Sequence, residues 1–516
     1  MRHKGNFPTF PYLNRGPHRI AIVSVFTIFL TAYSSFALQI PPAQSIEPKK
    51  LMKEATKLTR GGSFVEAENL LRKVVAFDSA RSDAKIELAY ALTKQRRLGE
   101  AYEIVFPIVQ KEPKNARAFS VLGAMMLTAG RFQEARILFF NAIKLNRREH
   151  LAWAGYGLLD FYENNINESV ENLREAVFHA PDEPDYLFAL AQVSSRAERY
   201  AEAADAYRDF LNISNSSDED RRARIKGLIS FLRYLGNAGS LYRVGGNEQT
   251  SVDFELVGNR PIIKLKINGG KEQLKFVLDT GSGISVVSQE TAKRLKIKAV
   301  TKGGFARGIG GNGKFEIVYG LLRELSIGDV NMRQIPVYIR KFHDDAHAVD
   351  GYIGLAMISK FLTTIDYGAK TFSLTRRVDD EKVFRENIGT SLPLRLTSSG
   401  FLSGEVQLQG VESPLNFIVD TGASVSVISS DVAKQTNLKK DYLELRGLDD
   451  KHYQSQLVAY IDKFSPAKRA DIEAYLLDKL PQVLDENQKR NKVKNLLQSI
   501  KKQGLVNISG KLWMSK

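Results

Sequence analysis

A short stretch of sequence occurs twice in this chain, at residues 276–288 and again at residues 417–429. Each copy has an apolar run, then the tripeptide Asp-Thr-Gly, then a second apolar run. Short apolar runs on either side of a glycine turn predict a buried strand, a tight turn and a returning strand. The duplication therefore predicts two β-rich lobes, each with one carboxylate at a tight turn.

Those carboxylates belong to Asp279 and Asp420. Two carboxylates held about 3 Å apart cannot both ionise, so they share a proton and their pKa values separate. One of them can then take a proton from a water molecule while the other donates a proton to a carbonyl oxygen. This pattern points to hydrolysis of an amide by a pair of acids, in which the titration belongs to the pair.

The residues that follow the two acids fit the same interpretation. Gly281 and Gly422 allow the backbone to turn back where a Cβ atom would clash. Thr280 and Thr421 carry hydroxyl groups that can tie two such turns together. We therefore expect these four residues to brace the turns that present the acids.

The duplicated stretch resembles the active-site motif of the aspartic proteases, and of the retropepsin-like group in particular. The resemblance implies an aspartic endopeptidase that acts on a peptide or protein substrate. It implies no metal ion and no organic cofactor. A glycine-dense segment at 303–313 matches the flap of that group, a hairpin that closes over substrate. The glycines of this predicted flap are Gly308, Gly310, Gly311 and Gly313.

The resemblance covers a first lobe at 250–377 and a second lobe at 390–450. In the first lobe, Ile353 and Gly354 match the second family signature, a segment that buttresses the aspartate turn. The second lobe departs from the pattern, because no glycine-rich loop and no apolar-apolar-Gly buttress follow its aspartate. We therefore interpret it as truncated.

The truncation leaves two arrangements of the acids open. In the first, Asp279 and Asp420 meet within one chain. In the second, two copies of the chain form a homodimer that brings their Asp279 residues together. The duplication favours the first arrangement and the truncation favours the second.

A different repeat fills residues 47–236. Glutamates at positions 66, 100, 134, 168 and 202 are 34 residues apart, and a small residue follows each of them. Two further sets of residues keep the same spacing, one small (Ala55, Ala89, Gly123, Gly157, Ala191) and one large and apolar (Leu71, Val105, Phe139, Leu173, Tyr207). This pattern is similar to the tetratricopeptide (TPR) repeat, a helix–turn–helix unit of about 34 residues. It implies five stacked units and a capping helix. Either the concave face binds a protein partner, or the array only packs on the protease.

The first 46 residues contain no acidic residue, start with several Lys and Arg residues, and are almost entirely apolar from 20 to 30. This order is typical of a secretory signal peptide, here residues 1–37. An uncleaved membrane anchor is the alternative, because 20–40 is long enough to span a bilayer. Both predict an exported protein, periplasmic or anchored facing the periplasm. The chain has no cysteine, which excludes disulfides and a cysteine nucleophile.

Residues 452–516 show three helical patterns followed by a hairpin, an order that resembles a winged helix. The third pattern is strongly basic through Lys489, Arg490, Lys492, Lys494, Lys501 and Lys502. In winged-helix proteins this helix enters the DNA major groove, so a true winged helix predicts nucleic-acid binding. The alternatives are a basic, solvent-exposed helical tail or a fused or wrongly joined segment. The net charge of +16 suits either an anionic partner or a surplus of surface lysine.

The sequence therefore predicts a multidomain α + β protein. An all-α TPR solenoid comes first, all-β retropepsin-like acid protease lobes follow, and a small winged-helix-like α/β tail ends the chain. Three functions are compatible with this order. They are an aspartic endopeptidase with an interaction array, a TPR binding scaffold with inactive protease-like lobes, and a DNA-binding regulator.

Overall fold

The computed structural model describes residues 47–215, 218–307, 314–341, 349–376, 392–408, 411, 414–429, 432–433, 445–447, 450–477, 480, 486–510 and 512–515. The predicted signal or anchor segment at 1–37 lies outside these ranges. Among the helices of the described residues, none is long and apolar enough to cross a bilayer.

The N-terminal part of the described chain is a series of antiparallel helix pairs followed by one longer helix. The helices are α1 (Pro48–Arg60), α2 (Phe64–Phe77), α3 (Ser82–Lys94), α4 (Leu98–Lys111), α5 (Ala116–Thr128), α6 (Phe132–Leu145), α7 (His150–Tyr162), α8 (Ile166–His179), α9 (Pro184–Arg196), α10 (Tyr200–Ile213) and α11 (Glu219–Asn237). The five pairs and the capping helix α11 confirm the predicted TPR array.

The small and large residues of the repeat meet as their spacing predicts. A Cβ atom on Gly123 of α5 would lie 2.7 Å from a ring carbon of Phe139 on α6. A Cβ atom on Gly157 of α7 would likewise lie 2.8 Å from the Cγ atom of Leu173 on α8. The missing side chains let the two helices of each pair approach closely, and the large apolar residues fill the space between them.

Ion pairs join the first two repeats to the fifth across the face lined by the odd-numbered helices. Arg60, at the end of α1, pairs with Asp182 and, at 2.6 Å, with Glu183. Lys94, at the end of α3, pairs with Asp185 of α9 at 2.6 Å. The array therefore closes on itself on this side through its own charges.

The capping helix leads into a sheet of eleven strands in the described residues. Its elements are β1 (Arg243–Gly246), β2 (Gln249–Val257), β3 (Arg260–Ile267), β4 (Leu274–Asp279), β5 (Ser285–Ser288), α12 (Gln289–Arg294), β6 (Ala299–Arg307), β7 (Lys314–Ile327), β8 (Val330–Arg340), β9 (Gly351–Gly354), α13 (Leu355–Ile358), β10 (Phe361–Asp366) and β11 (Thr371–Arg376). Asn268 and Gly269, which connect β3 to β4, both have positive φ, as a tight hairpin turn requires. The sheet begins at Arg243, ahead of the predicted start of the lobe at 250.

The strands follow the order β10-β11-β2-β3-β4-β9-β5-β8-β7-β6, and β7 returns to pair with β3. The pairs β4–β9 and β5–β8 are parallel, while the other pairs are antiparallel. Phe231 and Leu235 of α11 share the buried core of this lobe with Phe276 and Leu278 of β4. The array and the first lobe therefore have a common core.

The second lobe is much smaller in the described residues. It consists of β12 (Leu394–Leu396), β13 (Leu402–Leu408), β14 (Leu415–Ile418) and β15 (Leu445–Gly447). Strand β13 pairs with each of the other three. The first three of these strands precede Asp420 in the sequence.

The tail contains α14 (Asp450–Phe464), β16 (Ala467–Lys468), α15 (Arg469–Leu477), α16 (Glu486–Lys502), β17 (Val506–Ser509) and β18 (Leu512–Ser515). Its helices surround a buried cluster of their own, which includes Leu457, Val493 and Trp513. The three helices and the hairpin have the predicted order, and the short β16 adds a third strand beside β18. Lys489, one of the basic residues of the predicted third helix, does not lie on a solvent-exposed face, because it is only 5% exposed.

Candidate active site

The two predicted acids come from equivalent strands of the two lobes. Strand β4 ends at Asp279, and the chain turns sharply before it returns as β5. Strand β14 ends two residues before Asp420, which begins the second turn. The carboxyl groups of Asp279 and Asp420 lie close enough to interact directly. The structure thus brings the two acids together within one chain.

The threonines of the two turns exchange hydrogen bonds across the lobes. The Thr280 hydroxyl donates to the Val419 carbonyl oxygen at 2.6 Å, and the Thr421 hydroxyl donates to the Leu278 carbonyl oxygen at 2.7 Å. Each hydroxyl also accepts from the backbone N–H of the opposite threonine, at 3.1 Å for Thr280 Oγ1 and 3.2 Å for Thr421 Oγ1. Four reciprocal bonds therefore align the backbones that carry the acids.

The glycines of the two turns lie against the opposite acids. A Cβ atom on Gly281 would lie 2.3 Å from the Cγ atom of Asp420. A Cβ atom on Gly422 would lie 2.6 Å from the Cγ atom of Asp279. Any larger residue at either position would displace a carboxyl group. Gly422 also donates its N–H to the Asp420 carboxylate at 2.9 Å.

The environment of Asp279 favours its protonated form. Burial, followed by the charge of Asp420 and the hydrogen bond to it, raises the pKa of Asp279 to about 7. Backbone N–H groups of Gly281 and Ser282 act in the opposite direction and do not compensate. Below about pH 7 Asp279 therefore keeps its proton, as the acid of an acid–base pair must.

The predicted buttress lies beside the Asp279 strand. In the parallel pairing of β4 with β9, Leu278 is opposite Ile353 and Asp279 is opposite Gly354. The Gly354 N–H donates to the Ser285 hydroxyl at 3.0 Å, and a Cβ atom on Gly354 would lie 2.6 Å from the carbonyl carbon of Ile284. This strand thereby holds both arms of the first turn.

The second turn has no such support among the described residues. Val427 occupies the position equivalent to Val286, yet Val427 is 69% exposed and Val286 is 5% exposed. No strand in the described part of the chain pairs with residues 425–429. The two turns therefore carry equivalent acids, but among the described residues only the first turn is supported by neighbouring strands.

Only part of the predicted flap at 303–313 lies within the described residues. Gly308, Gly310, Gly311 and Gly313 lie outside the described residues. Gly303, predicted to belong to the same loop, lies instead within β6. There the Cα atom of Gly303 would be 2.2 Å from a Cβ atom on Gly227 of α11. This part of the segment therefore serves the close packing of the strand on the capping helix.

Sequence reasoning missed Asp350. Its carboxylate accepts hydrogen bonds from the Thr291 hydroxyl at 2.6 Å, the Arg294 guanidinium at 2.8 Å and the Lys275 N–H at 2.9 Å. Its carbonyl oxygen accepts from the Ser288 N–H at 2.7 Å. Asp350 thus connects the start of β4, the end of β5 and α12. Its position directly before the 351–355 signature was the available signal.

Three family models match four regions of the chain. An aspartyl protease model matches residues 263–357 and 404–487. Two tetratricopeptide repeat models match residues 58–125 and 157–218. The first protease match contains Asp279 and the buttress, and the second contains Asp420 and extends into α14 and α15 of the tail. Tetratricopeptide repeats serve protein–protein interaction.

Solved structures match the repeat region. A thermophilic TPR protein of Thermus thermophilus is 19% identical, covers 35% of this chain and 98% of its own, and has a TM-score of 0.31. Pseudomonas aeruginosa pilF is 16% identical, covers 37% of this chain and 87% of its own, and has a TM-score of 0.28. MamA of Desulfovibrio magneticus is 18% identical, covers 33% of this chain and 97% of its own, and has a TM-score of 0.23. No curated protein matches the sequence.

The family models and the observed element order agree on the two main parts of the molecule. The helix pairs of the N-terminal part coincide with the repeat matches, and the paired Asp-Thr-Gly turns fall within the protease matches. The chain carries tetratricopeptide repeats followed by retropepsin-like aspartyl protease domains.

Proposed function

We propose that this protein is an aspartic endopeptidase whose dyad consists of Asp279 and Asp420 of a single chain. The observation that carries the proposal is the reciprocal bonding of Thr280 and Thr421, which sets the two acids side by side. The raised pKa of Asp279 supports the same chemistry, because one acid of the pair must be protonated at working pH. In this arrangement the dyad needs no second copy of the chain.

The reaction follows from the proton that the pair shares. Asp420 takes a proton from a water molecule, whose oxygen attacks the carbonyl carbon of a peptide bond. Asp279 gives its proton to the carbonyl oxygen, which leaves a neutral tetrahedral intermediate. Asp420 then gives the proton it took from water to the amide nitrogen, while Asp279 takes a proton from one hydroxyl group of the intermediate. The C–N bond breaks to give a carboxylic acid and an amine, and the dyad returns to its starting state. No step uses a metal ion or an organic cofactor.

The test is hydrolysis of an unstructured polypeptide by the purified full chain. Asp279→Asn and Asp420→Asn should each abolish cleavage, while Asp253→Asn, on an exposed strand position of the first lobe, should leave it unchanged. Mixing the two inactive variants should not restore cleavage, because both acids are needed in one chain. A fully active Asp420→Asn variant would reject this dyad in favour of a homodimer of Asp279 residues.

The array and the N-terminal segment extend the proposal to recruitment and location. The repeats bring a protein substrate or partner to the protease, since partner binding is the usual role of such arrays. The basic and apolar start of the chain directs export to the periplasm, either as a soluble protein or on a membrane anchor. Cell fractionation tests the location, and cytoplasmic recovery of the mature chain would reject it.

A second candidate function rests on the basic helix α16. Arg490, Lys494, Lys501 and Lys502 are exposed along this helix, which suits contact with the phosphates of a nucleic acid. A gel shift with the full chain should then show DNA binding that weakens steeply with salt. If no salt-dependent shift were seen, DNA binding would be rejected and the basic face of α16 would be only a solvent-exposed surface.

A further inference from the structure

In the described part of the second lobe, no strand takes the place of β8 and β9 of the first lobe. In the first lobe, β5 lies between β8 and β9, and its residues Ser285–Ser288 are all buried. The equivalent residues of the second lobe are exposed or half-exposed, as Val427 shows. A small sheet with so little cover of its own is marginal in water. Something else in the molecule must therefore keep Asp420 in place.

The TPR array provides an apolar contact for this lobe. Leu396 of β12 is 4% exposed and belongs to the same buried cluster as Phe161 of α7 and Leu190 of α9. Leu402, at the start of β13, packs against this cluster as well. The core of repeats four and five thus continues into the second lobe.

Polar groups surround this apolar contact. Arg395 is 7% exposed, and its guanidinium carbon lies 4.1 Å from the centre of the Phe132 ring at the start of α6. Glu163 of the array and Glu405 of the lobe are the carboxylates that act on its charge. Arg196 donates to the Gly400 carbonyl oxygen at 3.3 Å. Each of these contacts joins the array to the second lobe or supports Arg395 there.

The same array is fixed to the first lobe. Helix α11 packs on β6 at Gly227 and Gly303, and the rings of Phe231 and Tyr319 stack with their centres 4.5 Å apart. Lys360, just before β10, forms an ion pair with Glu198 between α9 and α10. The array therefore contacts both lobes.

We propose that the array is an internal clamp, in which repeats three to five and the capping helix hold the second lobe in register with the first. Phe132 and Arg395 are positioning residues for Asp420 in this arrangement. Among the described residues, the clamp takes the supporting role that β8 and β9 have in the first lobe. Its consequence for proteolysis rests on the proposed function, whereas the clamp itself does not.

Hydrogen exchange of the full chain tests the clamp directly. Phe132→Ala and Arg395→Ala remove the same stacked contact from its two sides. Each should accelerate exchange in β13 and β14 by at least about tenfold, with β4 and α5 unchanged. The double variant should add little to the larger single effect, because both substitutions remove one contact. Phe140→Ala is the matched control, since Phe140 lies on the same helix, also contacts a cation, Lys144, and is 47% exposed.

The outcomes separate the clamp from the enzymatic proposal. Unchanged exchange in β13 and β14 in both single variants would overturn the clamp. If Phe132→Ala also accelerates exchange in α5, its effect is not confined to the second lobe. The exchange measured in Arg395→Ala then decides whether the clamp holds. If exchange is accelerated in the variants but the wild-type protein cleaves no polypeptide, the clamp is supported and the protease proposal is rejected. Where the wild type does cleave, the two variants should lose cleavage together with protection of β14.

Discussion

Gly281 lies directly against the carboxyl group of Asp420, on the opposite lobe, so that even one added methyl group would overlap it. The reciprocal contact joins Gly422 to Asp279. Each turn is therefore shaped by the acid of the other turn. The glycines set the separation of the acids as well as the path of their own backbones.

Gly281→Ala should therefore disable the site without unfolding the protein. The new methyl group displaces the Asp420 carboxyl group, and a misplacement of about 1 Å can lower kcat about 100-fold. Gly283→Ala is the control, because a Cβ atom there would be 3.9 Å from its nearest neighbour, a ring carbon of Phe401. The measurement is kcat on an unstructured polypeptide, beside circular dichroism of each variant. Equal activity in the two variants would contradict this account of the turn.

The pH profile should show a loss of activity as the pH rises through about 7. Burial and Asp420 raise the pKa of Asp279 to about 7, so its proton is present below that pH and absent above it. Above it Asp279 is ionised and cannot donate a proton to the substrate carbonyl. The check is kcat/KM measured from about pH 4 to about pH 9. A profile that is flat through neutrality would contradict the assignment of the proton donor.

The same pKa shift predicts the direction of the stability change. The pKa of Asp279 is higher in the folded state, about 7, than its ordinary value of 3.8, so the folded protein binds this proton more tightly. The resulting stabilisation is full below the ordinary pKa and is lost as pH rises through the folded pKa. Relative to Asp279→Asn, the melting temperature of the wild type should therefore fall between those two pH values. A difference in melting temperature between the two proteins that stays constant with pH would disprove the raised pKa of Asp279.

Thr280→Val should destabilise the contact between the lobes, whereas Thr280→Ser should preserve most of it. Valine removes the donor to the Val419 carbonyl oxygen and the acceptor for the Thr421 N–H. Each buried polar group left without a partner costs about 1–3 kcal/mol. Urea unfolding of the three proteins gives the comparison. If the valine and serine variants were equally stable in urea, the Thr280 hydroxyl would not stabilise the contact between the lobes.

In the array, Gly155→Ala should destabilise and Gly236→Ala should not. A Cβ atom on Gly155 would lie 2.1 Å from the Phe139 ring, and overpacking of a core costs about 1–3 kcal/mol. Gly236 has its nearest neighbour at 3.7 Å, and alanine is the better helix former by about 1 kcal/mol. Thermal unfolding followed at a helix signal distinguishes the two. Equal melting temperatures would argue against tight packing at Phe139.

Much of the fold could be predicted because its signals are local or periodic. The spacing of the repeats gives their number and their small-against-large packing, and the duplicated turns identify both acids. The burial of Lys489 was also within reach, since Lys489, Val493, Leu496 and Ile500 lie on one face of a helix at spacings of three and four residues.

Other features depend on contacts between distant parts of the chain. Asp350 looks like part of a charged loop in sequence, and its three donors come together only when β4, β5 and α12 are placed. Nothing near Arg395 indicates that it packs on Phe132. The pairing of Asp279 with Asp420 stayed ambiguous in the sequence because no glycine-rich loop and no apolar-apolar-Gly buttress follow Asp420.

The contact between Gly227 and Gly303 has a mechanical consequence. Where side chains separate two elements, a small displacement of one is absorbed by changes of rotamer in between. Here backbone touches backbone, so no compliant layer intervenes between the helix and the strand. A small shift of the capping helix is therefore passed directly to β6, and strain applied to the solenoid reaches the first lobe.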